Sequence, residues 1–168
     1  MADTSVSVVT NRGSFVIALD AGKAPKSVEN FLRYVDAKYY DGTTFHRVIP
    51  NFMIQGGGYD QNYERKPTQP PIANEADNGL KNTRGSVAMA RTGDPHSATA
   101  QFFVNVIDNQ FLDHTAKDAH GWGYAVFGRV TEGMETVDKI KVEATGAMGQ
   151  FTKDVPKEPV VIVSVRRQ

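Results

Sequence analysis

The residues of this chain best suited to chemistry lie in one run, Phe45-His46-Arg47-Val48-Ile49-Pro50-Asn51-Phe52-Met53-Ile54-Gln55-Gly56-Gly57-Gly58. One arginine and one glutamine stand among large apolar side chains, and the run stops on three glycines. Alternation predicts that Phe45, Arg47 and Ile49 share one face of a strand, with His46 and Val48 on the other. After a break at Pro50-Asn51, Met53 and Gln55 should return to the Arg47 face. An arginine beside Phe52 and Met53 is a rigid fork of donors next to an apolar patch, and guanidinium groups keep their charge near neutrality. Such a pair can hold an apolar residue while the guanidinium addresses the adjoining amide.

The elements that must position these groups are short. Ser5–Thr10 and Ser14–Leu19 flank Asn11-Arg12-Gly13 as a hairpin, with Phe15, Ile17 and Leu19 on one face. Pro25 suits a first helical position, and Val28, Phe31, Leu32 and Val35 follow at helical spacing. Residues 56–83 turn polar and rich in Gly, Pro and Asn, which predicts a long surface loop. Gly85–Arg91, Phe102–Val106, Tyr124–Val130 and Val160–Val165 read as strands, and Met134, Val137 and Ile140 mark a second short helix after Gly133. Many short strands with two helices argue for a closed antiparallel sheet, which leaves no exposed edge.

The bulk properties exclude several classes. The 168 residues suit one domain spanning 1–168. Nineteen basic and nineteen acidic side chains cancel, so no global field draws nucleic acid or an anionic membrane. The absence of cysteine rules out disulfides, thiolate nucleophiles and cysteine metal sites. Met1–Ser5 lacks the basic and apolar regions of a signal peptide, and no apolar run approaches the ~20 residues of a membrane span. These features predict a cytoplasmic protein that contacts neither nucleic acid nor membrane, with a monomer as the default.

Three ordered blocks carry a resemblance to a known family. The run FHRVIPNFMIQGG resembles the signature of the cyclophilins, peptidyl-prolyl cis-trans isomerases, which reads FHRVI-x-x-FMIQGG. Ser97–Val104, with Gln101 and Phe103, resembles a second family segment, and Tyr124–Val130 a late strand. The likeness runs from about Ser5 to Val165 and looks closest to a bacterial cytoplasmic branch. It implies a mainly β fold, a closed eight-stranded antiparallel barrel capped by two α-helices, one over each opening.

The resemblance also implies the site. Arg47 and Gln55 would be catalytic, Arg47 donating to the prolyl nitrogen and Gln55 binding substrate backbone and holding Arg47. Phe52, Met53, Phe103 and Leu112 would receive the proline ring. Backbone near Ala90 and Arg91 would pair with the peptide, Gln101 would line the groove, and Phe111 and Tyr124 would complete the wall. Phe102 should then face the interior. Substrates would be proline-containing peptides and unfolded or folding proteins. Phe111 and Tyr124 stand where the best-known eukaryotic members carry Trp and His, and Arg91-Thr92 replaces Asn-Ala. Phe111 lacks an indole N–H donor, which predicts weak cyclosporin binding. The Asp113–Gly123 segment is longer than in those forms, and its Trp122 need not fill the missing position.

Other chemistries fare worse. His46, His96, His114 and His120 show no metal-ligand spacing, so neither metal nor cofactor is expected; His46 should pack opposite Arg47. Asp94, His96 and Ser97 have the types of a hydrolase triad but crowd into one loop. The glycines at 56–58 lack the Lys-Ser/Thr of a phosphate loop. Arg166-Arg167-Gln168 reads as a solvated tail. The alternative from another class is a proline-binding adaptor or holdase chaperone whose isomerase activity is incidental.

Overall fold

A computed structural model describes residues 4–168. Strands β1 (Ser5–Thr10) and β2 (Gly13–Leu19) form the expected hairpin, burying Val6 and Val8 from one and Phe15, Ile17 and Leu19 from the other. Helix α1 (Pro25–Asp36) starts on its proline and buries Val28, Phe31, Leu32 and Val35. There follow β3 (Arg47–Ile49), β4 (Met53–Gly56), β5 (Ser86–Met89), β6 (Phe102–Asn105) and β7 (Val126–Glu132). Helix α2 (Met134–Lys141) precedes a small hairpin of β8 (Thr145–Met148) and β9 (Phe151–Pro156), and β10 (Ile162–Arg167) ends the fold.

Eight strands make one antiparallel sheet in the order β10-β1-β2-β7-β5-β6-β4-β3. Register shifts in β1, β2 and β5 let it curl. The outer strands β3 and β10 do not pair along their lengths. Instead the seam is drawn together just before them, where Phe45 N–H donates to Val160 O and Ile162 N–H to Thr43 O. The expected barrel is therefore closed by a short bridge at Thr44 and Val161 rather than by a full ladder. The hairpin β8–β9 was not anticipated. Its segment offers little apolar alternation, and its pairing is set by the turn at Gly149, where φ is +56°.

The interior holds a tight aromatic group. Phe31 lies 5.5 Å from Phe102 and 5.1 Å from Phe127, and Tyr40 meets Phe102 edge-on at 5.4 Å. Phe45 joins this core and contacts Phe102 at 6.0 Å. That corrects the alternation expected at the start of the FHRVI run. Residues 43–45 still belong to the seam, β3 begins only at Arg47, and the pleat does not carry across the join. Phe45 thus points into the barrel while Arg47 is exposed.

The ends are also tied. Arg166 makes a two-pronged pair with Asp41 at 2.8 and 2.6 Å, and Arg167 another with Asp36 at 2.8 and 2.7 Å. These arginines belong to β10 and brace it against the end of α1, so the expected solvated tail is corrected to a paired strand end.

Gly57 adopts φ +89°, and a Cβ there would lie 2.8 Å from Tyr40 and 3.0 Å from Phe102. Gly57→Ala should therefore destabilise the fold by about 2–3 kcal/mol through backbone strain and overpacking. In a calorimetric scan this corresponds to a melting temperature roughly 5–10 °C below wild type.

Candidate functional site

Cross-strand register assembles the site. Arg47 faces Gln55, Gln55 faces Phe103, Phe103 faces Ala88, and Ala88 faces Val126. Directly opposed residues project to the same side of a sheet, so one row across five strands lines up on the outer surface. Ile49 and Met53 oppose each other in the neighbouring row. Strands β5 and β6 are buried on both faces. Inward, Val87, Met89, Phe102 and Val104 fill the barrel; outward, Ala88 and Phe103 join a second apolar cluster with Met53, Ala90, Leu112 and Val126. Phe102 and Phe103 therefore divide between interior and groove as expected.

That outer cluster is incompletely covered, and the gap is a pocket of ≈ 130 Å³. Phe52, Met53, Phe103, Leu112 and Tyr124 form its apolar lining. Arg47, Gln55, Ala90 and Arg91 border it with polar and backbone groups. Nine of the eleven expected site residues thus meet at one place. Phe103 and Tyr124 pack edge to face at 5.8 Å, and the Arg47 guanidinium lies 5.8 Å from the Phe52 ring centre.

Three expectations need adjustment. Gln55 donates its amide to Gln101 Oε1 at 3.0 Å, so the side chain it holds is Gln101 rather than Arg47. Gln101 itself lines the adjoining cavity, reached because a Cβ on Gly58 would lie 2.5 Å from its Cγ. Phe111 is 73% exposed and stacks on the outer side of Phe52 at 5.6 Å. It belongs to the rim, since the short 3-10 turn Gln110–Leu112 points Leu112 inward and Phe111 out. Trp122 lies outside the pocket, between His96 and His114.

A buried asparagine network that the sequence reading missed supports the pocket walls. Asn105 donates to Asn82 Oδ1 at 3.0 Å and to Ser86 Oγ at 2.9 Å. Asn109 bonds Asn105 and the Phe52 carbonyl, while Asn82 reaches the carbonyls of Leu112 and Tyr124. Asn82 and Asn109 thus bond backbone carbonyls of the pocket's loops, and Asn105 links the two through its side chain. No periodic pattern marks such residues, because their role depends on partners distant in sequence.

The adjoining cavity, ≈ 260 Å³, is bordered by His46, Gln55, Arg65, Arg91, Ser97 and Gln101 among others. His46 therefore lies on the site side rather than opposite Arg47. Its ring is buried against Tyr59 at 4.6 Å and Phe151 at 5.3 Å. Burial, reinforced by the Arg47 charge, pushes its pKa down to about 4. Among the described residues no three His, Asp or Glu side chains gather as a metal site requires, and no helix is long and apolar enough to cross a membrane.

The comparisons with known proteins agree with this geometry. Residues 5–167 match the family model described as cyclophilin type peptidyl-prolyl cis-trans isomerase/CLD. The chain belongs to the cyclophilin family. It is 58% identical to peptidyl-prolyl cis-trans isomerase cyp18 of Streptomyces antibioticus, over 97% of this chain and 98% of that one. Identity to peptidyl-prolyl cis-trans isomerase B of Escherichia coli is 57%, over 93% and 94% respectively. The crystal structure of a cyclophilin type isomerase from Cryptosporidium parvum superposes with a TM-score of 0.77 at 26% identity, covering 99% of this chain and 98% of that one. A second structure of that protein, in the presence of the dipeptide Ala-Pro, gives 0.76 at 25%, covering 98% of each.

The state of His46 has a consequence for stability. Its pKa falls from 6.5 to about 4 on folding, so the unfolded chain takes up the proton first as pH drops. Stability is therefore complete above 6.5 and is lost toward 4, by up to about 3 kcal/mol. Asp36, Asp41 and Asp138 are held below 3.8 by hydrogen bonds from Arg167, Arg166 and Arg84, so their contributions are lost only in stronger acid. Denaturant midpoints should fall as pH is lowered from neutrality to 4 in wild type, and the slope should flatten in His46→Phe.

Proposed function

We propose that this chain catalyses cis-trans rotation about X-Pro bonds, in peptides and in unfolded or folding proteins, with Arg47 as the donor to the twisting amide. The supporting observation is the placement of Arg47 and Gln55, cross-strand partners, at the border of an apolar pocket with room for one small ring. The bacterial relatives that are peptidyl-prolyl cis-trans isomerases by name, and the Cryptosporidium structure in the presence of Ala-Pro, accord with that reading.

Rotation breaks no covalent bond. It must overcome amide resonance, a barrier of ~18–20 kcal/mol. Twisting pyramidalises the prolyl nitrogen and frees its lone pair to accept a hydrogen bond, which the planar amide cannot. A donor aimed at that nitrogen therefore stabilises the transition state and not the ground state. The proline ring seats against Met53, Phe103 and Leu112, and Arg47 approaches the nitrogen from the rim. Gln55, oriented by Gln101, steadies the adjoining carbonyl. One charge-assisted hydrogen bond contributes roughly 1.5–3 kcal/mol, while a rate gain of 10⁵ needs about 7 kcal/mol. Preorganised backbone dipoles near Ala90 and Arg91 and a restrained substrate supply the rest. One chain supplies every lining group of the pocket, so no second copy is needed to complete it.

Magnetisation-exchange NMR on an Ala-Pro-Phe peptide tests the activity without a coupling enzyme. Wild type should accelerate exchange, and Arg47→Ala should lower kcat/KM roughly ten- to a hundredfold. Arg47→Lys should not restore it, because a point charge lacks the planar fork. Binding without acceleration in wild type would make the chain an adaptor instead.

Cyclosporin binding should be weak. Phe111→Trp adds an indole N–H at the rim and should tighten it by roughly tenfold, measured by calorimetric titration.

A further inference from the structure

The ≈ 260 Å³ cavity beside the proline pocket shares Gln55, Ala90 and Arg91 with it. Its charge is one-sided. Arg65 and Arg91 border this cavity, Arg47 borders the next, and no Asp or Glu side chain lines either.

Both arginines of the cavity are placed by the backbone rather than by ion pairs. Arg65 pairs with Tyr59 in a short bridge, and Lys66 N–H donates to Gly58 O, which folds the 59–66 segment back over the cavity edge. The Asp60 carboxylate of that segment accepts the N–H groups of Asn62 and Glu64. Among the described residues Arg65 has no carboxylate partner within salt-bridge distance, in a chain where Arg84, Arg166 and Arg167 each have one. Arg91 donates Nε–H to Gly123 O at 3.1 Å and an Nη1–H to Thr92 O at 2.8 Å, and lies 4.4 Å from the Tyr124 ring centre. A guanidinium has five N–H donors, so the remaining ones are left for a ligand. The buried Nδ1 of His46, on the same cavity wall, also has no hydrogen-bond partner.

An extended peptide projects alternate side chains to the same side. With the proline ring in its pocket, the side chain two positions away points at the protein again, and the adjoining cavity is what it meets. We propose that this cavity selects substrates carrying a carboxylate side chain two residues from the proline, with Arg65 and Arg91 as its recognition groups. The inference rests on the isomerase reading and names the substrate class of that same site. Charge complementarity of this kind sharpens selectivity and capture more than the chemical step, and salt weakens it.

The test compares Glu and Gln placed two residues before proline in one peptide pair and two residues after it in another. Exchange NMR gives KM and kcat, and a titration in the same tube gives Kd. At low ionic strength the Glu peptide of one pair should show a KM and Kd roughly three- to tenfold below its Gln counterpart, with the difference mainly in KM. The advantage should shrink at high salt and in Arg65→Gln, and the His46 ring resonances should move only with the Glu peptide. Equal constants for Glu and Gln at both positions would overturn the proposal. So would an advantage that survives Arg65→Gln and Arg91→Gln undiminished. Absence of exchange with a retained Glu preference in Kd would sink the isomerase reading while leaving the cavity's selectivity in place.

Discussion

The antiparallel register of β3, β4 and β6 is the constraint on which the site depends. Arg47, Gln55 and Phe103 are successive cross-strand partners, so their side chains leave the sheet together. A slip of one residue in any of these ladders would send Arg47 or Gln55 into the barrel and bring a core side chain out. The aromatic interior prevents that slip. Val48, Ile54 and Phe102 are fully buried on the inner face, and a shifted register would exchange them for charged or amide groups. The hydrophobic effect that folds the barrel is thus the same force that aims the arginine.

A second consequence follows from β5 and β6 being apolar on both faces. The inner face is filled by the barrel core, but the outer face is covered only by loop residues such as Leu112 and Tyr124. Loops cover less completely than a helix, and the uncovered part is the pocket. Its walls are held by Asn82 and Asn109, which bond the carbonyls of Leu112, Tyr124 and Phe52 and are tied to each other through Asn105. The pocket and the arginine at its border are both consequences of a sheet whose outside is apolar in one region and edged by Arg47.

Much of this was legible in the sequence, for identifiable reasons. The hairpin at 5–19 and the helix at 25–36 show strong periodicity, and Phe102 and Phe103 follow simple alternation. Nine site residues meet where the family resemblance implied. What failed were positions at joins. Phe45 belongs to the seam rather than to β3, so local alternation misplaced it, and Phe111, assigned to the wall by the resemblance, is turned outward to the rim by a 3-10 turn. The asparagines bond partners from remote segments, and nothing periodic in a polar loop announces them or places Arg65 beside a cavity. The hairpin of β8 and β9 rests on turn geometry, which its weakly patterned sequence does not advertise.

The role proposed for Arg47 is to act on the rotating amide and not on the resting one. NMR line-shape analysis of a proline peptide separates these, since it yields the Kd of each isomer and the rotation rate on the protein. The account predicts that Arg47→Ala lowers the bound-state rotation rate by tenfold or more while both Kd values change little. Unchanged bound-state rotation with weakened binding would contradict it, and would make Arg47 a binding residue only.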